Sequence, residues 1–155
     1  MSRVAGSLAV VLLLFGRAPV TADTGQAPAL DACTILTLSE LSSAAGVAVQ
    51  RPRPDSAPEG DSICRFRAGT DTLTLAIGRS TRANFDELRQ LLIEEKNSVV
   101  PVNGVGIAAY FWDNRIYVFA GTRSFSVQVG EAAPVSAKHQ QMAQAVAKVL
   151  AAKIK

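Results

Sequence analysis

The sequence of 155 residues predicts an α+β domain built on an antiparallel sheet of about five to seven strands. Three observations lead to this class. Hydrophobic residues make up 48% of the chain and charged residues 19%, a globular composition at a length that suits one domain. Short strand patterns are separated by two-residue turn signals, which is typical of hairpins. No repeated strand–helix–strand pattern of a parallel sheet dominates the chain.

The first residues have the pattern of a signal peptide. Arg3 gives a positive start, and Val4–Phe15 is an apolar run as long as a signal hydrophobic region. This run is shorter than the roughly 20 residues that a membrane span needs. Val20-Thr21-Ala22 offers the small residues of a cleavage site, so we expect cleavage after Ala22. An uncleaved anchor or a buried core helix is the alternative.

The predicted organisation is a signal peptide at 1–22, a flexible leader at 23–30 and a single α+β domain at 31–155. Such a protein is periplasmic or secreted and has no integral membrane span after cleavage. Loss of Arg3 and Arg17 with the signal peptide leaves 14 basic and 13 acidic residues. This near-neutral balance does not predict nucleic-acid binding.

Two cysteines, Cys33 and Cys64, are the only thiols of the chain. Export places them in an oxidising compartment, which predicts one disulfide between the first helix and the first long strand. A catalytic or redox cysteine is the alternative. The absence of a CxxC motif and the distance in sequence from His139, the only histidine, weigh against it.

Capping motifs place three helices. Thr37 and Glu40 have the spacing of a capping box, and Gly46 is a suitable helix stop. Asn84 and Glu87 have the same spacing before the second helix. The predicted helices are Leu38–Ala45, Asn84–Lys96 and a C-terminal amphipathic helix capped by Ser136 and running to about Ala152.

Strand patterns fill the remaining segments, apart from Arg51–Gly60, where three prolines predict a loop. The order of helices and strands indicates two loosely related halves, each a helix followed by strands. The predicted strands are Val47–Gln50, Ser62–Ala68, Thr72–Gly78, Val99–Val102, Ala108–Trp112, Arg115–Ala120 and Arg123–Val129.

Two-residue turns define the register of three hairpins. Asp113-Asn114 suits a type I′ turn, whereas Gly69-Thr70 and Gly121-Thr122 suit type II′ turns with Gly first. Residues opposite each other across such a turn share one face of the sheet. The predicted pairs include Cys64 with Leu75, Phe66 with Leu73, Arg65 with Thr74, Arg67 with Thr72, Phe111 with Ile116, Tyr110 with Tyr117, Trp112 with Arg115, Val118 with Phe125, Phe119 with Ser124 and Arg115 with Gln128.

All three hairpins divide the residues into the same two faces. The first face is apolar and predicts the core: Cys64, Phe66, Leu73, Leu75, Ile77, Phe111, Ile116, Val118, Phe125 and Val127. The second face mixes arginines, hydroxyls and aromatic rings: Arg65, Arg67, Thr72, Thr74, Tyr110, Trp112, Arg115, Tyr117, Phe119, Ser124, Ser126 and Gln128. Tyr, Trp and Arg are enriched in recognition surfaces, so the second face is the candidate binding surface.

Two other interpretations of the second face stay open. One helix could pack over its aromatic rings and give a three-layer sandwich. The rings could also be ordinary cross-strand pairs on a solvated face.

Other motifs give weaker functional signals. Gly104-Val105-Gly106 precedes a strand rather than a helix, which does not suit a phosphate loop. One histidine and two cysteines predict neither a metal site nor a cofactor.

Two segments resemble those of a family of small secreted bacterial α+β domains. Asp31-Ala32-Cys33-Thr34-Ile35-Leu36-Thr37 with Glu40 resembles the family's opening D-x-C-x-L-L-T-x-x-E. Val102–Tyr110 resembles its segment V-x-G-[VL]-G-[DE]-x-A-Y. Many such domains are envelope lipoproteins of unknown function, so the resemblance implies export and an α+β fold. Ile107 departs from the common acidic residue, and no lipobox cysteine follows the leader, which favours an unanchored periplasmic protein.

The sequence therefore predicts an exported, non-enzymatic binding domain that recognises an envelope molecule. A protein partner of the inhibitor or immunity type is favoured. The alternatives are a periplasmic carrier of a small molecule or lipid, and a hydrolase of an envelope polymer that uses acidic residues or His139. The predicted binding residues are Arg65, Arg67, Tyr110, Trp112, Arg115, Tyr117 and Phe119.

Overall fold

The computed structural model describes residues 30–55, 61–131 and 136–154. The predicted signal peptide and nearly all of the predicted leader lie outside this part of the chain. The α+β class is confirmed. The elements are α1 (Leu38–Ala45), β1 (Val49–Asp55), β2 (Ser62–Ala68), β3 (Asp71–Gly78), α2 (Arg82–Glu94), β4 (Val99–Pro101), β5 (Ala108–Trp112), β6 (Arg115–Ala120), β7 (Arg123–Val129) and α3 (Ala137–Lys153).

The seven strands form one sheet in the order β1-β2-β3-β7-β6-β5-β4, and all neighbours are antiparallel. Two meanders, β1 to β3 and β4 to β7, meet where β3 pairs with β7. One helix precedes each meander, and α3 follows the second. Within the described ranges, no helix combines the length and the apolar character that crossing a membrane requires.

The predicted hairpin registers are confirmed, including Arg65 opposite Thr74 and Tyr110 opposite Tyr117. Gly69 and Gly121 have φ of 62° and 57°, as the first central residue of a type II′ turn requires. The predicted type I′ turn at Asp113-Asn114 is wrong, because that turn needs a positive φ at both residues. Only Asp113 has one, at 54°. The predicted and the observed turn at Asp113-Asn114 both have two central residues, so the register of this hairpin is as predicted.

Strand β1 continues into the segment that was predicted as a loop. The prolines at 52 and 54 lie inside Val49–Asp55, and residues 56–60 lie outside the described part of the chain. Proline is tolerated here because β1 is an edge strand, where an N–H is not needed on the outer side. The register of β1 shifts between Gln50 and Arg53, which marks a bulge.

Two of the three helices have the predicted limits within a residue. Thr37 and Glu40 form the capping box of α1, and Ser136 caps α3 by accepting a hydrogen bond from the backbone N–H of His139 at 3.2 Å. The predicted start of α2 at Asn84 is wrong. Thr81 is the cap, and its hydroxyl accepts the Asn84 N–H at 3.2 Å, so the helix begins two residues earlier.

The first face of the sheet forms the main core, as predicted. Helices α1 and α3 pack against each other and cover it, with Leu41 of α1 and Val146 and Leu150 of α3 fully buried. All ten residues predicted for this face are buried. The predicted disulfide between Cys33 and Cys64 is present, with a Cα–Cα distance of 5.1 Å. It joins the segment before α1 to β2.

Helix α2 lies on the opposite face, where it covers part of the sheet. Its buried residues Phe85 and Leu92 form a second cluster with Tyr110 and Phe119. The three-layer arrangement is therefore confirmed over β4, β5, β6 and part of β7, and the helices of the two halves lie on opposite faces. Over β2 and β3, by contrast, Arg65 and Arg67 of the second face are exposed.

Candidate functional site

Helix α2 removes two of the predicted binding residues from the surface. Tyr110 is fully buried and Phe119 is 5% exposed. The ring of Phe85 lies 5.2 Å from the ring of Tyr110 and 5.8 Å from that of Phe119, in tilted contacts. The expected exposure of Tyr110 and Phe119 is therefore wrong. The reason is that covering such large rings with one helix removes more apolar surface from water than leaving them on an open face.

The other five predicted residues remain accessible. Arg65 and Arg67 are exposed, and Trp112, Arg115 and Tyr117 are half-buried. Trp112 of β5 and Tyr117 of β6 pack against the cluster under α2, whereas Arg65 and Arg67 lie on β2 and Arg115 at the start of β6. The structure therefore divides the predicted surface into a covered part and an accessible part.

Arg115 is held in a defined position within the accessible part. Its Nη2 donates a hydrogen bond to Oε1 of Gln128 at 2.6 Å. Its guanidinium also lies 5.9 Å from the centre of the Tyr117 ring, a cation–π geometry. Gln128 in turn donates to the carbonyl of Gly130 at 3.2 Å. This chain of contacts fixes the guanidinium in advance, which lowers the entropic cost of using it to bind an anion.

A row of aromatic rings connects the covered and accessible parts. Tyr110 and Tyr117 are stacked with their centres 5.3 Å apart, and Trp112 lies 5.8 Å from Tyr117. Burial raises the pKa of the Tyr117 hydroxyl, and the neighbouring Arg115 opposes this shift. Both tyrosines are therefore neutral near pH 7. The row ends at Trp112, whose half-exposed indole is a rigid contact surface.

Three adjoining clefts line the accessible part, with volumes of about 180, 300 and 390 Å³. The smallest is the most apolar and lies against α2 at Leu88 and Phe85. The other two share Arg115, Gln128 and Glu131. We call this continuous surface the open band. Its main residues are Arg65, Thr74, Ala76, Leu88, Trp112, Arg115, Tyr117, Ser126 and Gln128.

The open band is apolar at the end next to α2 and basic at the other end. Arg65 and Arg115 line the same cleft, and the exposed Arg67 lies two residues further along β2. Two carboxylates stand at the border, Asp113 and Glu131, and Glu131 accepts a hydrogen bond from the Thr72 hydroxyl at 3.3 Å. A guanidinium favours an anionic group such as a carboxylate, which it matches with two parallel N–H donors.

Sequence reasoning missed the apolar end of the band. The helical spacing of Phe85, Leu88 and Leu92 predicts an apolar stripe for α2, but Leu88 is 39% exposed and lines the smallest cleft. Ala76 of β3 lines the same cleft and gives no signal in the sequence.

His139 does not lie in the open band. Its Nε2 is 3.4 Å from a carboxylate oxygen of Asp71, so it links α3 to the start of β3. Across residues 30–55, 61–131 and 136–154, no three His, Cys, Asp or Glu side chains are grouped so that they could hold a metal ion.

No family model, no curated protein and no solved structure matches this chain. The resemblance to small secreted bacterial domains therefore remains a prediction from the two short motifs.

Proposed function

We propose that this chain is an exported, non-enzymatic binding domain, and that it recognises an acidic protein of the cell envelope through the open band. One observation carries the proposal. Arg65 and Arg115 line one cleft of a sheet face, and this cleft adjoins the rings of Trp112 and Tyr117 and an apolar cleft. Tyr, Trp and Arg are the residues that contribute most to binding at the centres of protein interfaces.

The change from an apolar end to a basic end along the open band indicates the chemistry of the partner. An apolar side chain would fill the cleft between Leu88 and Tyr117. Carboxylates next to it would accept hydrogen bonds from Arg115 and Arg65, because a guanidinium matches a carboxylate with two parallel N–H donors. The partner is therefore a protein segment in which an apolar residue is followed by acidic ones.

The edges of the sheet favour docking on its face. Strand β1 contains prolines at 52 and 54, and strand β4 contains Pro101. Proline lacks the N–H that would pair with an added strand, and proteins use it to block edge-to-edge association. A partner that binds through the face avoids this obstacle.

Two observations support an oxidising location. The chain has a disulfide between Cys33 and Cys64 and no free cysteine among its described residues. Disulfides persist in the periplasm and outside the cell but are rare in the cytosol. With the signal-peptide pattern of residues 1–22, this favours a periplasmic or secreted protein.

A charge-reversal experiment tests the proposal. The purified mature protein is cross-linked to partners in an envelope extract, and the captured protein is then purified and titrated against the domain. The double variant Arg65→Glu, Arg115→Glu is compared with Lys138→Glu, Lys148→Glu. The second pair makes the same charge change on exposed positions of α3, away from the band.

We expect the arginine pair to weaken binding by at least about tenfold, and the lysine pair to leave it within about twofold. Circular dichroism of all variants checks that they are folded. Equal weakening by both pairs would mean that only net charge matters, and would contradict a site on the open band. Binding of a small molecule or lipid in place of a protein would favour the carrier interpretation.

A further inference from the structure

The second face of the sheet is covered by a helix over only part of its width. Helix α2 packs on β4, β5, β6 and part of β7, whereas β2 and β3 carry the exposed Arg65 and Arg67 and the half-buried Thr74 and Ala76. The first face, by contrast, is covered by two helices that pack against each other, α1 and α3. The second face therefore has an uncovered area beside α2.

The uncovered area has the dimensions of α2 itself. Strands β2, β3 and β7 have seven or eight residues, which corresponds to about 23–26 Å, and three neighbouring strands span about 14 Å. Helix α2 has 13 residues, which corresponds to a length of about 20 Å, and a helix with its side chains is about 10–12 Å wide. A helix of the size of α2 therefore fits on this area.

The side of α2 that borders the uncovered area is apolar. Leu88 and Leu91 are 39% and 50% exposed, and Leu88 lines the cleft that also contains Ala76 of β3 and Tyr117 of β6. Leu91 follows three residues later and therefore lies on the same side of the helix. A second helix that lies beside α2 would remove both leucines from water.

The outward side of α2 is acidic. A helix turns by about 100° per residue, so Glu87 lies opposite the buried Phe85, and Glu94 lies on the same side as Glu87. Both glutamates are exposed, and neither carboxylate has a hydrogen bond or ion pair with the residues that the structure describes. The arginines of this helix, Arg82 and Arg89, lie on the flank away from the leucines, where they line a cleft against the segment before β5.

The outward side of α2 is complementary in charge to the open band. Arg65 and Arg115 line one cleft of the band, and Arg67 is exposed on the same strand as Arg65. Guanidiniums bind carboxylates through two parallel N–H donors. An acidic helix with an apolar flank is therefore the occupant that the uncovered area favours, and α2 of a second copy of this chain is such a helix.

We propose that the domain forms a two-fold symmetric dimer in which α2 of each copy lies on the uncovered area of the other. A two-fold axis that runs between the two α2 helices and parallel to them places one sheet below the helix pair and the other sheet above it. Each α2 stays on its own sheet and presents Glu87 and Glu94 to the open band of the other copy. Leu88 and Leu91 of the two copies meet at the axis. The two contacts are equivalent, so the assembly closes as a dimer.

The dimer has a consequence for the proposed function, and this consequence alone rests on that function. Each open band is covered by a helix in the dimer, so an envelope partner and the second copy compete for the same surface. Two helix-sized contacts form an interface at the lower end of the usual sizes, so we expect a dissociation constant of about 10–100 µM. A partner that binds more tightly than this separates the dimer.

Sedimentation equilibrium of the disulfide-bonded mature domain, without any partner, tests the dimer. Between about 5 and about 500 µM, the wild type should pass from monomer to dimer with no larger species. The double variant Glu87→Arg, Glu94→Arg, which we call the helix variant, should weaken the dimer by at least about tenfold. The band variant, Arg65→Glu, Arg115→Glu, should do the same. Circular dichroism checks that both are folded, and a wild type that stays monomeric throughout this range would overturn the proposal.

A mixture of the two variants separates this geometry from an effect of net charge. The helix variant and the band variant together have opposite charges at one contact and the wild-type charges at the other. Their mixture should therefore form a heterodimer within about threefold of the wild-type affinity. The matched control is Lys138→Glu, Lys148→Glu, which has the same net charge as the band variant but changes exposed positions of α3.

The control mixed with the helix variant leaves arginine facing arginine at one contact, so its heterodimer should be at least about tenfold weaker than the wild-type dimer. Equal dimerisation in both mixtures, or a dimer that the helix variant leaves unchanged, would contradict the proposal. The dimer and the proposed function can fail separately. A monomeric domain whose partner binding depends on Arg65 and Arg115 would refute only the dimer. A dimeric domain whose partner binding is unaffected by the band variant would refute only the proposed function.

Discussion

Replacement of Phe85 by alanine tests how the second face is covered. Phe85 is 3% exposed, and it is one of only two buried side chains of α2. Truncation of a buried phenylalanine to alanine costs about 3–5 kcal/mol. Full burial of one large apolar side chain stabilises by about 1.5–3 kcal/mol, so Phe85 and Leu92 are the main source of the docking energy of this helix. Phe85→Ala should therefore both destabilise the domain and loosen α2.

Urea unfolding gives the first readout, with Leu91→Ala as the control because Leu91 is 50% exposed on the same helix. We expect a loss of about 3–5 kcal/mol for Phe85→Ala and about 0.5 kcal/mol or less for the control. The second readout is the quenching of Trp112 fluorescence by acrylamide, and this quenching should increase in Phe85→Ala. A loss below about 1 kcal/mol, or equal losses in both variants, would refute the docking of α2 on the sheet.

Three further predictions concern the scaffold. The Cys33–Cys64 disulfide closes a separation of 31 residues, so reduction should lower the free energy of unfolding by about 4 kcal/mol in urea titrations. The pKa of Glu40 is lowered to about 2 by a lysine of α3 and by the helix cap, so Glu40→Gln should destabilise above pH 4.5, with the difference from the wild type vanishing as the pH falls to about 2. Gly106→Ala should lower the thermal midpoint more than Gly104→Ala: both have positive φ, but only Gly106 lacks space for a Cβ.

The sheet could be predicted from the sequence because its register depends on local signals. Gly69 and Gly121 stand at the first central position of two-residue turns, and each such turn sets the pairing of two strands. A shift by one residue would have placed Phe66 and Arg67 on the wrong faces. The choice between turn types at Asp113 did not matter for pairing, because both types contain two central residues.

The position of α2 could not be predicted in the same way. Its sequence indicates an amphipathic helix, but the connections at either end allow it to pack on either face. The choice depends on which face still has uncovered apolar surface once α1 and α3 are in place. The burial of Tyr110 and the exposure of Leu88 follow from this packing, so sequence patterns could not reveal either.

The prolines of β1 show a second limit of sequence reasoning. Proline at two alternate positions argues against a central strand but not against an edge strand, and only the complete strand order shows that β1 is at the edge. The outcome matters for function because both edges of the sheet now contain proline. Proline at both edges disfavours the addition of a strand from a partner, as the proposal of docking on the face requires.

The most direct test of the open band uses Trp112, the only tryptophan of the chain, as a reporter within the proposed interface. Acrylamide quenching of its fluorescence is measured before and after saturation with the purified envelope partner, using a tryptophan-free variant of that partner. We predict that quenching falls on binding in the wild type and in Lys138→Glu, Lys148→Glu. Saturable binding that leaves the quenching of Trp112 unchanged would place the partner elsewhere and contradict the open band as the binding site.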